Sequence, residues 1–164
     1  MASIKPKIYL IHGFVGAGKT TFAKKLEKET GAVRFSPDEW MCILYGENPP
    51  QSQYAEYDRR IKEVIKKLAT SLVKSGNSII FDFGFWTRQG RDKYREFVLS
   101  IGAEPVFYAL NCPVEIMRSR VKKRTADMPD GAVFVDDNAF YEFLTMFEPI
   151  DLGQENAITI DTSI

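Results

Sequence analysis

The segment Gly13-Phe14-Val15-Gly16-Ala17-Gly18-Lys19-Thr20, set between an apolar run and a helical one, restricts the fold of this chain more than any other feature. Upstream, Lys7-Ile8-Tyr9-Leu10-Ile11 is short and apolar, as a buried strand is. Downstream, Thr20 to Glu29 is rich in helix formers and places Phe22, Ala23 and Leu26 on one face. The spacing G-x-x-x-x-G-K-[ST] between them has a mechanical reading. Gly13 and Gly18 permit torsions that a Cβ resists, so successive N–H groups turn inward. The start of the helix adds the positive end of its dipole. Such a loop cradles phosphate. Gly13, Gly16, Ala17, Gly18, Lys19, Thr20 and Thr21 are the expected nucleotide contacts, with Lys19 at the β- and γ-phosphates and the Thr20 hydroxyl a ligand for Mg²⁺.

The rest of the chain alternates strand and helix, the pattern of a mostly parallel sheet covered on both faces. Gly31 ends the first helix and Ala32 to Phe35 form a second strand. Ser36 caps a helix that has Pro37 in its first position and runs to about Leu44. Asn48-Pro49-Pro50 marks a loop. A long amphipathic helix spans about Ser52 to Ser75, with Ile61, Val64, Ile65, Leu68, Ala69 and Leu72 on one face. Ser78 to Asp82 is a third strand that ends in an acid. Thr87 caps a helix burying Tyr94, Phe97, Val98 and Ile101. Glu104 to Leu110 is a fourth strand, followed by a basic helix over Val114 to Arg124. Met128-Pro129-Asp130-Gly131 is a turn. Asp136 or Asp137 caps a last helix carrying Phe140, Phe143, Leu144 and Phe147, and Ala157 to Asp161 is the final strand.

At 164 residues, with 45% apolar and 27% charged side chains, the expectation is one globular domain over residues 1–164. The 22 basic and 22 acidic side chains cancel. That balance argues against avid, sequence-independent nucleic-acid binding, which needs a large positive field, while leaving room for a local basic site. Cys42 and Cys112 fit no metal spacing and read as buried thiols rather than a disulfide. No secretory h-region and no membrane-length apolar run is present, so a cytoplasmic protein is expected.

A phosphate loop binds a nucleotide without saying what becomes of it. Asp38 follows the second strand at the carboxyl edge of the sheet, where open α/β folds bind ligands. A carboxylate there either accepts the proton of an attacking hydroxyl or only complements the helix dipole. Glu39 is a weaker candidate for the same work. Asp82, at the predicted end of the third strand, is placed to hold Mg²⁺ or the acceptor. Arg118, Arg120, Lys122, Lys123 and Arg124 form a basic run; Lys122 and Lys123 read as solvated, whereas Arg120 and Arg124 share a helix face. Arginines so placed can stabilise charge on a transferred phosphoryl group. Val114, Met117 and Val121 face the core opposite. Arg88 and Arg91 are candidates for an anionic acceptor, or point into solvent. His12 reads as packed at the strand end rather than catalytic.

Taken together, these residues resemble the small P-loop kinases. The likeness is to the branch holding phage-type polynucleotide kinases, zeta-toxin-like kinases and chloramphenicol phosphotransferase, and within it to a group of bacterial ATP-binding proteins. It is carried by the phosphate loop and by Phe35-Ser36-Pro37-Asp38-Glu39-Trp40-Met41, Asp82-Phe83-Gly84-Phe85-Trp86 and Phe147-Glu148-Pro149. The resemblance implies a three-layer α/β fold with five parallel strands in the order 2-3-1-4-5 and a helical lid. It implies ATP and Mg²⁺ as cofactors, Asp38 as general base, and Arg120 with Arg124 in the lid. Several members of the branch carry an Arg three residues after the base; here that residue is Met41. The acceptor is then held differently, by Arg88 or Arg91. The expected activity is phosphoryl transfer from ATP to a hydroxyl of a small molecule. The alternatives are a polynucleotide 5′-hydroxyl kinase and an ATP-binding regulatory module. No N-K-x-D segment occurs, which counts against a GTPase.

Overall fold

The computed structural model describes residues 4–128 and 134–164. In chain order the elements are β1 (Lys7–His12), α1 (Lys19–Thr30), β2 (Val33–Phe35), α2 (Pro37–Tyr45), α3 (Gln51–Lys74), β3 (Ile79–Gly84), α4 (Arg88–Ser100), β4 (Glu104–Asn111), α5 (Val114–Asp127), α6 (Asp137–Met146) and β5 (Ile158–Asp161). The five strands pair in parallel in the order β2-β3-β1-β4-β5. This is the three-layer α/β architecture of the P-loop nucleotide-binding fold. The order reverses between β1 and its two neighbours, which opens a crevice at the carboxyl ends of the strands.

Alternation along the strands divides the core into two layers. Ile8, Leu10, Ile79 and Phe81 pack with Ile61, Ile65, Ala69 and Val73 of α3 and Val98 of α4. Ile11 and Ile80 pack on the opposite face with Ala23 and Leu26 of α1, Met117 and Val121 of α5, and Phe140 of α6. Capping signals act as their residue types require. Gly31 closes α1 at φ 69°, a left-handed torsion that glycine adopts without strain. The Ser36, Thr87 and Asp136 side chains accept from the backbone N–H groups of Glu39, Gly90 and Ala139 at the starts of α2, α4 and α6.

Four sequence expectations change. On α3 the buried row is Ile61, Ile65, Ala69 and Val73, whereas Val64 and Leu68 lie on the flank, 49% and 42% exposed. Val114 opens α5 and is 38% exposed. Cys42 is only partly buried, unlike Cys112. Strand β3 continues two residues past Asp82, to Gly84. The predicted turn at Pro129-Asp130-Gly131 lies outside the described residues. Among the described residues no helix is long and apolar enough to cross a membrane.

Candidate active site

The phosphate loop leaves β1 and enters α1 through three glycines that do different work. Gly16 and Gly18 hold φ of 82° and 87°, torsions that a side chain resists. Gly16 also sits against α5, where a Cβ would come within 2.5 Å of the Met117 carbonyl oxygen. Gly13 has no left-handed torsion and serves close packing instead. Its Cβ would lie 3.2 Å from Lys19 Cγ and 3.3 Å from the Cβ atoms of Ala17 and Leu110. Its N–H donates to the Gly84 carbonyl at 3.1 Å, which fastens the loop to the end of β3. No side chain caps α1, so its first-turn N–H groups face the loop as an anion site does. Lys19 Nζ donates to the Phe14 carbonyl at 3.0 Å.

Three acidic or hydroxyl groups converge on that lysine. Asp82 is 2% exposed and shares the α1-facing side of β3 with Ile80. Burial pushes its carboxyl up, while Lys19 and a hydrogen bond from the Thr20 hydroxyl pull it down. Its Oδ2 has no hydrogen-bond partner. Asp38 lies in the exposed first turn of α2, where the Tyr54 hydroxyl donates to its Oδ1 at 3.4 Å. Burial also lowers the Lys19 ammonium, with Asp82 and then Asp38 opposing the shift. Thr20 and Asp82 together offer hard oxygen donors of the kind Mg²⁺ prefers, in a site that leaves most ligands to phosphate and water.

The α5 arginines reach the same place differently. Arg120 donates to the carbonyls of Thr162 at 2.7 Å and Gly16 at 3.4 Å, so it ties the phosphate loop to the segment after β5. Thr162 in turn donates from its hydroxyl to the Ala17 carbonyl at 2.7 Å. Arg124 repels Lys19 electrostatically, and its Nε is buried with no hydrogen-bond partner. Lys122 and Arg118 pair with Asp137 on the outer side of the helix. The fold therefore gathers Lys19, Thr20, Asp38, Asp82, Arg120 and Arg124 around one crevice.

Arg91 is committed elsewhere, and Arg88 has a local partner. Arg91 is 1% exposed; it forms a two-bond pair with Glu155 at 2.7 and 2.8 Å and donates to the carbonyls of Phe85 and Glu148. Those bonds occupy four of the five donors of a guanidinium. Arg88 pairs with Asp92 at 3.0 Å. Against the burial that would raise it, Arg91 and Arg95 hold the Glu155 carboxyl at about 2. The Glu148 backbone N–H donates to Trp86 O, and the Glu148 carboxylate accepts from the Arg88 N–H. Phe147 stacks on His12 at 5.0 Å between centroids and meets Phe14 edge-on. The segments around Asp82 and Glu148 thus form one brace beneath the phosphate loop. Sequence reading missed Glu155, Tyr54 and Arg34; each acts through partners distant in sequence and carries no local motif.

His12 is 3% exposed and its Nδ1–H donates to the Phe85 carbonyl at 2.9 Å. Burial lowers its pKa to about 4, so the folded protein keeps it neutral. Below about pH 6.5 the unfolded chain takes up a proton that the folded chain refuses until about pH 4. Stability should therefore fall by about 3 kcal/mol as pH drops through that window, and return as pH rises. Urea unfolding at a series of pH values should show this slope in the native protein and lose it in His12→Asn.

Comparison with known proteins places this geometry. A candidate kinase of Chloroflexus aurantiacus superposes with a TM-score of 0.77 at 15% identity, over 98% of this chain and 90% of that one. A gluconokinase from Sinorhizobium meliloti gives 0.64 at 19% identity, over 98% and 85%. The APS kinase CysC of Mycobacterium tuberculosis, solved with AMPPNP and APS, gives 0.62 at 16% identity, over 96% and 89%. At these identities the likeness is one of fold. No curated protein sequence matches the chain significantly. The sequence profile of the AAA domain family matches residues 8–150, nearly the whole sheet and its helices, and the chain belongs to that family.

Proposed function

We propose that the protein is an ATP-dependent phosphotransferase acting on a hydroxyl of a small-molecule acceptor. The observation that carries this reading is the approach of two carboxylates, Asp38 and Asp82, to the phosphate-loop lysine. A nucleotide switch needs one acid near its metal. A second acid, exposed at the mouth of the crevice, is suited to taking a proton from an acceptor.

In this reading the first-turn N–H groups of α1 and Lys19 bind the β- and γ-phosphates. Thr20 and Asp82 would hold Mg²⁺, directly or through water, and that site would supply positive charge beside the phosphates. The Tyr54 hydroxyl holds one oxygen of Asp38. Asp38 takes the acceptor's proton as its oxygen bonds to the γ-phosphorus and the bond to the ADP oxygen breaks. Lys19 and Arg124 neutralise the charge that spreads over the transferred group. Arg91 is committed to Glu155, so the acceptor is held by other groups. Met41, which stands where related kinases have an acceptor-binding Arg, is 1% exposed and packs into the core. An anionic polynucleotide end therefore lacks two of its expected grips.

The test is transfer from γ-labelled ATP to pooled neutral and phosphorylated metabolites, with a 5′-hydroxyl oligonucleotide in a parallel arm. Label in a metabolite fraction supports the reading. Label only in the oligonucleotide makes the protein a polynucleotide kinase. Hydrolysis that no acceptor stimulates makes it a nucleotide-regulated module.

A further inference from the structure

Arg34 lies on β2, away from every recognised motif, yet three acids from three elements surround it. Its Nη2 donates to both carboxylate oxygens of Glu39 on α2, at 2.9 and 3.1 Å. Its Nε lies 3.4 Å from Glu27 Oε2 on α1. Its Nη1 lies 3.7 Å from Asp82 Oδ2 on β3. The register explains the meeting: Arg34 pairs with Ile80 in the parallel ladder, and Asp82 is the next residue of β3 on that face. The Arg34 side chain is 11% exposed.

A strut between α1 and α2 would be complete with Glu27 and Glu39. The third arm is different. Nη1 of Arg34 and Oδ2 of Asp82 are both buried, neither has a hydrogen-bond partner, and the two atoms face each other at 3.7 Å. Lys19, the other cation beside Asp82, is the residue a bound nucleotide would engage. Arg34 is the cation that stays.

We infer that Arg34 is a positioning residue of the phosphoryl-transfer centre, which fixes Asp82 against the phosphate loop and couples it through Glu39 to the helix that carries Asp38. The inference rests on the reading of Asp82 as the acid at the metal. Arg34 touches neither nucleotide nor acceptor; it acts through Asp82.

The test is calorimetry of ATP binding to the full chain, with and without Mg²⁺, and needs no acceptor. Arg34→Met should weaken binding of Mg·ATP about tenfold, the size of a contact-pair coupling. Binding of metal-free ATP should stay within about threefold, inside the scatter of independent sites. In an Asp82→Asn background, Arg34→Met should cost nothing further. Equal losses with and without Mg²⁺, additive losses in the double variant, or an Asp82→Asn variant with undisturbed Mg²⁺ dependence would each overturn the inference. Should Arg34→Met fail to fold, Glu39→Gln serves, since it releases one arm and leaves the guanidinium in place. Its smaller loss should also vanish in the Asp82→Asn background. Loss of acceptor phosphorylation as an activity would overturn the proposed function and leave this coupling standing.

Discussion

Lys19→Ala should lower turnover steeply and weaken Mg·ATP binding. Lys19 enters the crevice from the first position of α1, and its amine now rests on the Phe14 carbonyl. Burial works against its charge, and the pair of carboxylates works to keep it. A cation held partly desolvated in this way gains most when a polyanion arrives. Its removal should lower turnover by about a hundredfold to a thousandfold, the range for losing one preorganised charge-stabilising group. The fold should survive, because Ala fits the first turn of a helix. Calorimetry and steady-state hydrolysis check the two effects together. Native affinity and native turnover in Lys19→Ala would mean that the loop binds no nucleotide in the expected manner. Thr20→Ala should act instead through the Mg²⁺ requirement, since its hydroxyl is joined to Asp82.

Arg124→Ala should lower turnover on the order of a thousandfold while leaving ground-state ATP affinity within a few-fold. The Arg124 Nε is buried with no hydrogen-bond partner among the described residues, and Lys19 repels the guanidinium. In the proposed function, negative charge spreading over the transferred phosphoryl group compensates it. Arg120 is tied down already, to Thr162 and Gly16. Arg120→Ala should therefore appear first in ATP affinity, through a loosened phosphate loop, and only secondarily in the rate. Single-turnover kinetics beside equilibrium binding separates the two. Near-native rates in both variants would leave these arginines a structural role only.

The parts of this centre that were legible in the sequence are local. The phosphate loop reads directly because strand, loop and helix start are contiguous. Asp38 reads because Ser36 and Pro37 announce a helix start at the carboxyl edge of a strand. The strand order was legible only through resemblance, since pairing of β1 with both β3 and β4 is a long-range choice. What was illegible is likewise long-range. Arg91 looked available on a helix start, but Glu155 lies 64 residues away and nothing near either residue marks the pair. Arg34 sat unremarked in a three-residue strand because its meaning lies in Glu27, Glu39 and Asp82. Gly13 was read as a torsional need and is a steric one, a difference visible only once Leu110 of β4 is brought against it. On α3, periodicity offered a broad face, and tertiary packing fully buries one row of it.

The most direct measurement is transfer of labelled phosphate to the identified acceptor by Asp38→Asn, with nucleotide affinity measured on the same sample. Asn preserves the size of the side chain and can still engage Tyr54, but it cannot accept a proton. The proposed function predicts ATP affinity within a few-fold of native. It predicts transfer reduced by about a hundredfold to ten-thousandfold, the range for a lost general base. Transfer at the native rate in Asp38→Asn would contradict it and leave Asp38 as an acid that only complements the start of α2.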